Sequence, residues 1–131
     1  MTETELKAVF DKLDQMLSRL EAILKEPREK DYLLDATVQR YELTYEMLWR
    51  ALQKALFARE SIEARSPRET FRRAYMAGWL DDEETWERAL RYRNLTTHTY
   101  DQQLAEEAYR AIAAITPAIR VAVEKLRAMI G

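Results

Sequence analysis

The sequence contains no cysteine, one histidine, two glycines and three prolines in 131 residues. Without cysteine, the chain has no disulfide framework, no thiolate zinc ligand and no thiol nucleophile. One histidine is too few for a two-histidine metalloprotease motif, or for a di-metal bundle with a Glu-x-x-His motif on each of two helices. Two glycines leave no glycine-rich loop of the kind that wraps nucleotide phosphates. We therefore predict a protein that uses neither a metal nor a cofactor.

Long apolar runs and an excess charge of one sign are also missing. No run approaches the ~20 apolar residues that span a bilayer, and the first residues lack the basic start of a secretory signal. The net charge of −2, from 21 basic and 23 acidic residues, gives no overall attraction to nucleic acid or to an anionic membrane. Domains commonly have ~100–150 residues, so we expect residues 1–131 to form a single soluble, cytoplasmic domain without membrane contact.

Apolar residues recur at spacings of three and four along most of the chain, which is the period of an α-helix. Pro27 is expected to end the first helix, because proline lacks an N–H group and clashes with the preceding turn. A second helix is predicted from near Asp31 to about Arg59. The two apolar stripes consist of Leu6, Phe10, Leu13, Leu17, Leu20 and Leu24, and of Leu34, Val38, Tyr41, Tyr45, Leu48, Leu52 and Leu56.

Capping signals predict two shorter helices in the middle of the chain. Ser66–Glu69 is typical of a helix start, with a capping serine, a proline in the first turn and a capping-box glutamate. Gly78 is suited to the left-handed residue that ends this third helix. Asp81 and Asp82 can cap a fourth helix.

The fourth helix is expected to loosen at Asn94–Thr99, because three threonines and an asparagine disfavour a helix interior. A last helix is predicted from near Asp101, and Pro117 should kink or split it. Together these elements predict an all-α, antiparallel up-and-down bundle of four to five helices. The apolar stripe of the last helix consists of Leu104, Ala108, Ile112, Ile115, Ile119, Ala122, Leu126 and Ile130.

Large aromatic side chains are more numerous than one small bundle readily buries. A second subunit would cover the excess, so we expect a homodimer. The alternative is that these side chains are ordinary core and groove residues. The set consists of Tyr32, Tyr41, Tyr45, Trp49, Trp79 and Trp86.

The segment Arg93–Tyr100 gathers the only histidine with an arginine, an asparagine, a tyrosine and three threonines. Arginine binds phosphate through a planar fork of donors, and histidine exchanges protons near neutral pH. These groups suffice for metal-free RNA cleavage, because the RNA supplies its own 2′-hydroxyl nucleophile. His98 would move the proton and Arg93 would hold the charged phosphoryl group. The structural alternative is that His98 is a capping residue, Arg93 an ion-pair partner and Tyr100 a packing residue.

The spacing within this segment sets a geometric condition. On a regular helix Arg93 and His98 would lie ~140° apart and diverge. They converge only if the helix breaks between them, or if the site is built across a seam between two subunits. Tyr100 would align with Arg93 if the helix continued.

The segment Arg93–Tyr100 resembles the R-x4-H-x-Y motif of the HEPN superfamily. The resemblance is closest to the branch that contains HepT toxins and nucleotidyltransferase substrate-binding proteins. It extends to Arg40–Trp49, Ser66–Glu69 and Gly78–Asp82, and covers roughly residues 5–128. It implies a four- or five-helix bundle that dimerises, with the motif lining a cleft at the dimer seam.

The same resemblance implies a function and a partner. Arg93 and His98 would carry metal-independent RNA cleavage, with Asn94 supporting the site. A minimal nucleotidyltransferase of the MntA type would bind the protein and adenylylate Tyr100, which switches a toxin of this kind off. The resemblance also allows a non-catalytic subunit that presents a substrate or nucleotide to that enzyme. A third hypothesis is a structural dimer in which the motif is only a polar seam.

Overall fold

The computed structural model describes residues 1–27, 32–98 and 101–130, and of His98 it describes the backbone. Within this part of the chain there are five α-helices and no strand, which confirms the predicted all-helical bundle. None of these helices combines the length and the apolarity that crossing a membrane requires. The helices are α1 (Glu3–Leu24), α2 (Tyr32–Glu60), α3 (Pro67–Met76), α4 (Glu84–Leu95) and α5 (Gln102–Ile130), and a 3-10 turn (Thr96–His98) follows α4.

The two long N-terminal helices follow the predicted stripes closely. Helix α1 ends at Leu24, before Pro27, and α2 lies within one residue of its expected bounds at both ends. The apolar face of α1 is buried against α2 and α5. At the start of α2 the buried leucine is Leu33, whereas Leu34 is only partly buried.

Helix α3 begins and ends as its local sequence predicts. The Ser66 hydroxyl accepts a hydrogen bond from the Glu69 backbone N–H at 3.1 Å. The Glu69 carboxylate accepts from the N–H of Arg65 at 3.1 Å, one residue before the partner expected in a capping box. At the other end Gly78 has φ +82°, a left-handed conformation that side chains other than glycine adopt at a cost. The N–H of Trp79 reaches the carbonyl of Ala74 at 2.9 Å, which completes the turn.

Helix α4 is capped by only one of the two predicted aspartates. The Asp82 carboxylate accepts hydrogen bonds from the Thr85 N–H at 2.6 Å and from the Thr85 hydroxyl at 2.8 Å. These bonds lower the pKa of the Asp82 carboxyl, because they stabilise its ionised form. Asp81 instead forms an ion pair with Lys125 of α5 at 3.0 Å. The α4 start is therefore fixed by Asp82 alone.

Helix α5 is not split at Pro117, so that alternative of the sequence prediction is wrong. The helix runs unbroken from Gln102 to Ile130. Residues of its apolar face on both sides of the proline, including Ile112 and Ile119, are fully buried. Packing of this face against α1, α2 and α4 offsets the loss of one backbone hydrogen bond.

The sequence predicted more large aromatic surface than one bundle could bury, but five of those six aromatic residues are buried within the single chain. Of these six, only Tyr32 is exposed, at 61%. The five that are at least nine-tenths buried are Tyr41, Tyr45, Trp49, Trp79 and Trp86. Helices α3 and α4 cover α2, and rings from all three pack together: the Tyr45–Phe71 centroids lie 5.8 Å apart and the Phe71–Trp86 centroids 5.4 Å apart. These aromatic residues thus belong to the core and give no argument for a dimer.

Candidate functional site

The position of α4, which carries Arg93, is fixed from beneath by Tyr41 of α2. The Tyr41 side chain is fully buried, and its hydroxyl donates a hydrogen bond to the Ala89 carbonyl at 2.8 Å. Burial raises the pKa of Tyr41 far above its ordinary value, so the hydroxyl keeps its proton and remains a donor. This bond holds α4 one helical turn before Arg93.

The helix breaks between Arg93 and His98, as the threonine-rich sequence predicts. Helix α4 ends at Leu95, and Thr96–His98 form a single 3-10 turn. The Thr96 hydroxyl donates to the Arg93 carbonyl at 2.6 Å, and the Thr97 hydroxyl donates to the Asn94 carbonyl at 2.8 Å. Threonine hydroxyls thus donate hydrogen bonds to carbonyls in the last turn of the helix, where intrahelical N–H donors are missing. The regular α-helix therefore ends between Arg93 and His98, as the geometric condition set by the sequence requires.

The Arg93 side chain lies in the last turn of α4 and is 27% exposed. Its Nη1 donates a hydrogen bond to the Thr96 hydroxyl at 3.2 Å and lies 3.9 Å from Oε1 of Glu42 on α2. The second distance is that of an ion pair rather than a hydrogen bond. Nε and Nη2 have no hydrogen-bond partner within the part of the chain that the structure describes. The arginine is therefore anchored at one nitrogen, with the rest of its donor fork available.

The other predicted site residues are described to different extents. Asn94 lies exposed at the end of α4, beside Arg93 in the chain. The backbone of His98 ends the 3-10 turn, whereas its side chain lies outside the described residues. Tyr100 also lies outside them. The sequence predicts alignment of Tyr100 with Arg93 only if the α-helix continues to that residue, and α4 ends at Leu95.

A second buried tyrosine lies in the electrostatic field of Arg93. Tyr45 is 1% exposed, and its hydroxyl has no hydrogen-bond partner among the described residues. Burial, with the charge of Glu46, raises the pKa of Tyr45, and the charges of Arg93 and Arg68 oppose that rise. The hydroxyl is therefore neutral, because burial has the largest effect on its pKa.

Sequence reasoning missed Glu42 and Thr96 as neighbours of the arginine. Both residues lie inside segments that carry the family resemblance, Arg40–Trp49 and Arg93–Tyr100. The resemblance marks these segments as a whole and does not single out Glu42 or Thr96 within them. The role of Glu42 becomes visible only when α2 and α4 are packed together, whereas Thr96 contacts the arginine locally, at the end of α4. No group of three potential metal ligands occurs among the side chains that the structure describes.

Comparisons with known proteins agree with this architecture. Residues 8–128 match the family model described as nucleotidyltransferase substrate binding protein like. A Haemophilus influenzae protein named "Probable ribonuclease HepT" is 32% identical over 87 residues, which cover 63% of this chain and 60% of that protein. The chain thus spans less than two thirds of that relative's length.

Two solved structures share the fold. A crystal structure of a protein from Thermus thermophilus has a TM-score of 0.76 and 29% identity, and covers 90% of this chain and 98% of its own. The Haemophilus influenzae protein HI0074 has a TM-score of 0.60 and 25% identity, with 98% of each chain covered. That structure is described as the fold of a substrate binding domain of a nucleotidyltransferase.

Proposed function

The chain belongs to the family of nucleotidyltransferase substrate-binding-like proteins, in the HepT-like branch of the HEPN superfamily, and we propose that it is a metal-independent ribonuclease. The observation that carries the proposal is the half-buried Arg93, anchored at one nitrogen just before the turn that ends at His98. A planar cation with free donors can bind the phosphate, and a histidine five positions further along the chain can exchange protons near neutral pH; in-line cleavage of a phosphodiester needs both functions.

The proposed reaction uses the RNA 2′-hydroxyl as its nucleophile. A His98 imidazole removes the 2′-hydroxyl proton while the 2′-oxygen bonds to phosphorus, and the bond from phosphorus to the 5′-oxygen breaks. The 5′-oxygen takes up a proton from an imidazolium, which leaves a 2′,3′-cyclic phosphate and a 5′-hydroxyl. Arg93 binds the phosphoryl oxygens, on which negative charge increases in the transition state. Asn94 supports this site as a neighbouring polar group.

A homodimer would supply two imidazoles for the two proton transfers, since each chain has only one histidine. The outer face of α2 supports a dimer independently of the aromatic core. Tyr32, Leu43 and Phe57 are 61%, 46% and 55% exposed, and their spacing puts them on one face of the helix. Leu43 directly follows Glu42, the ion-pair partner of Arg93. We therefore assign the dimer interface to this face of α2, next to the site.

The regulatory part of the proposal concerns Tyr100 and a partner nucleotidyltransferase of the MntA type. The family description supports such a partner. An AMP group on Tyr100 would bring a phosphate to the same segment as Arg93 and His98, where it would compete with the RNA phosphate.

Adenylylation is expected to add the mass of one AMP group to the protein and to stop RNA cleavage. The measurement is intact mass together with a cleavage assay after incubation with the partner and ATP. Tyr100→Phe should remain active and unmodified, because phenylalanine has no hydroxyl. An AMP group found on a different residue would contradict this part of the proposal.

The ribonuclease activity itself is tested with purified protein and total cellular RNA in excess EDTA. We expect cleavage to persist, because neither proposed catalytic group needs a metal. Intact mass must first establish that Tyr100 carries no AMP. RNA left intact by the unmodified protein would contradict the ribonuclease proposal.

The second candidate function is a non-catalytic subunit that binds a substrate or nucleotide for the nucleotidyltransferase. The family's description, and that of the HI0074 structure, favour it. In that case a nucleotide or the partner enzyme would bind to the protein while RNA remained intact. Calorimetric titration with nucleotides, in parallel with the cleavage assay, distinguishes the two functions.

A further inference from the structure

Glu42 of α2 is the acidic side chain paired with Arg93 among the described residues. The Glu42 side chain is 35% exposed and that of Arg93 is 27% exposed, so both charges lie at the edge of the bundle rather than in water or in the core. The 3.9 Å between Oε1 and Nη1 is too long for a hydrogen bond. Glu42 therefore acts on Arg93 through its charge, without fixing the guanidinium in direction.

Thr96 supplies the direction that Glu42 does not. Its hydroxyl accepts from Nη1 of Arg93 at 3.2 Å and donates to the Arg93 carbonyl at 2.6 Å. Thr96 is 3% exposed, so this hydroxyl is held in the protein interior. The arginine thus has one fixed contact on its own turn and one loose charge contact on another helix.

We propose that Glu42 is an exchangeable counter-ion for Arg93, which an anionic phosphodiester replaces on binding while Thr96 keeps the guanidinium in place. This inference rests on the proposed function, because it names what governs access of a phosphate to that site. Glu42 acts on the phosphate site through the charge of Arg93, so it is not a catalytic residue. Its carboxylate weakens the binding of anions by repulsion and by occupying the arginine.

The experiment measures binding of a single-stranded 2′-O-methyl oligoribonucleotide, which keeps the phosphates but lacks the nucleophile. Binding is measured for the wild type, Glu42→Gln, Glu42→Asp and Glu124→Gln. Glu42→Gln removes the charge with little change in size. Glu42→Asp keeps the charge near the arginine. Glu124→Gln removes the same charge from an exposed position on α5 that has no described ion pair.

We expect Glu42→Gln to bind the oligonucleotide about two- to five-fold more tightly than the wild type, the range typical of a partly exposed ion pair. The gain should shrink as the salt concentration rises, because salt screens exposed charges. Glu42→Asp should bind like the wild type, and Glu124→Gln should differ from it by less than Glu42→Gln does. A merely structural role for Glu42 would lower the melting temperature without this gain in affinity.

Three results would overturn the inference: equal affinity of the wild type and Glu42→Gln, an equal gain for Glu124→Gln, or no binding by any variant. The cleavage assay in EDTA is a separate readout. RNA that is bound but never cut would contradict the ribonuclease function. The role of Glu42 as a counter-ion would then still be decided by the measured affinities. Cleavage with no effect of Glu42→Gln on binding would contradict only this inference.

Discussion

Replacing either Arg93 or His98 with alanine is expected to lower the rate of RNA cleavage by about 10²- to 10⁴-fold. General acid–base catalysis by a positioned histidine contributes on this scale. Loss of one donor that stabilises transition-state charge costs about 10²- to 10³-fold. The measurement is the initial rate of cleavage of a fluorescent RNA in EDTA, with each variant at equal concentration.

Arg91→Ala is the matched control for this experiment. Arg91 lies on α4 two positions before Arg93, is exposed and has no ion pair among the described residues. Its removal changes the net charge by the same amount as Arg93→Ala and should change the rate by less than about three-fold, as expected for a screened surface charge. An equal loss of activity in Arg91→Ala and Arg93→Ala would mean that arginine acts only through overall charge.

Truncation of Tyr41 to alanine is expected to lower the free energy of unfolding by about 3–5 kcal/mol, the range for large aromatic residues cut to alanine in a core. The side chain is fully buried, and its hydroxyl reaches the Ala89 carbonyl of α4. Tyr41→Phe keeps the ring and loses only the hydrogen bond, so its cost should be about 1 kcal/mol. Chemical denaturation, followed by circular dichroism, measures both values.

The pair of Tyr41 variants also tests how α4 is held. Tyr41→Phe should retain most of the cleavage activity, because the ring still separates α2 from α4. If Tyr41→Phe were as destabilised as Tyr41→Ala, the hydrogen bond rather than ring packing would dominate at this position. If both variants were as stable as the wild type, the buried contact between α2 and α4 would not contribute as described.

Local signals made most of the fold predictable from the sequence. The stripe of α1, the caps of α3 and the threonine-rich end of α4 each depend on residues within one or two turns of each other. The hydrogen bonds of Ser66, Asp82 and Thr96 have this short range. Such contacts form between neighbours in the chain, so the sequence pattern is sufficient to predict them.

Predictions that depended on packing between helices were less successful. The period of α2 identified Tyr41 and Tyr45 as apolar-facing, but it carried no information that α4 and α3 would cover them. The buried faces on both sides of Pro117 keep α5 in one piece, although the isolated sequence favours a break.

For the candidate site, the sequence located Arg93 and the break that follows it. It did not locate Glu42, because the two residues lie far apart in the chain and meet only when α2 packs against α4. A capping role for His98 and a packing role for Tyr100 stay as alternatives. The ion-pair role that the sequence allowed for Arg93 is present in the structure, as its pairing with Glu42.

The most direct test of the proposed ribonuclease mechanism is the chemistry of the cleaved ends. The wild type, with intact mass establishing an unmodified Tyr100, is incubated in excess EDTA with a synthetic RNA and with its 2′-O-methyl counterpart. We expect cleavage of the RNA alone, with 2′,3′-cyclic phosphate and 5′-hydroxyl ends, because the 2′-hydroxyl is the nucleophile. Cleavage of both strands, or of neither, would contradict this mechanism.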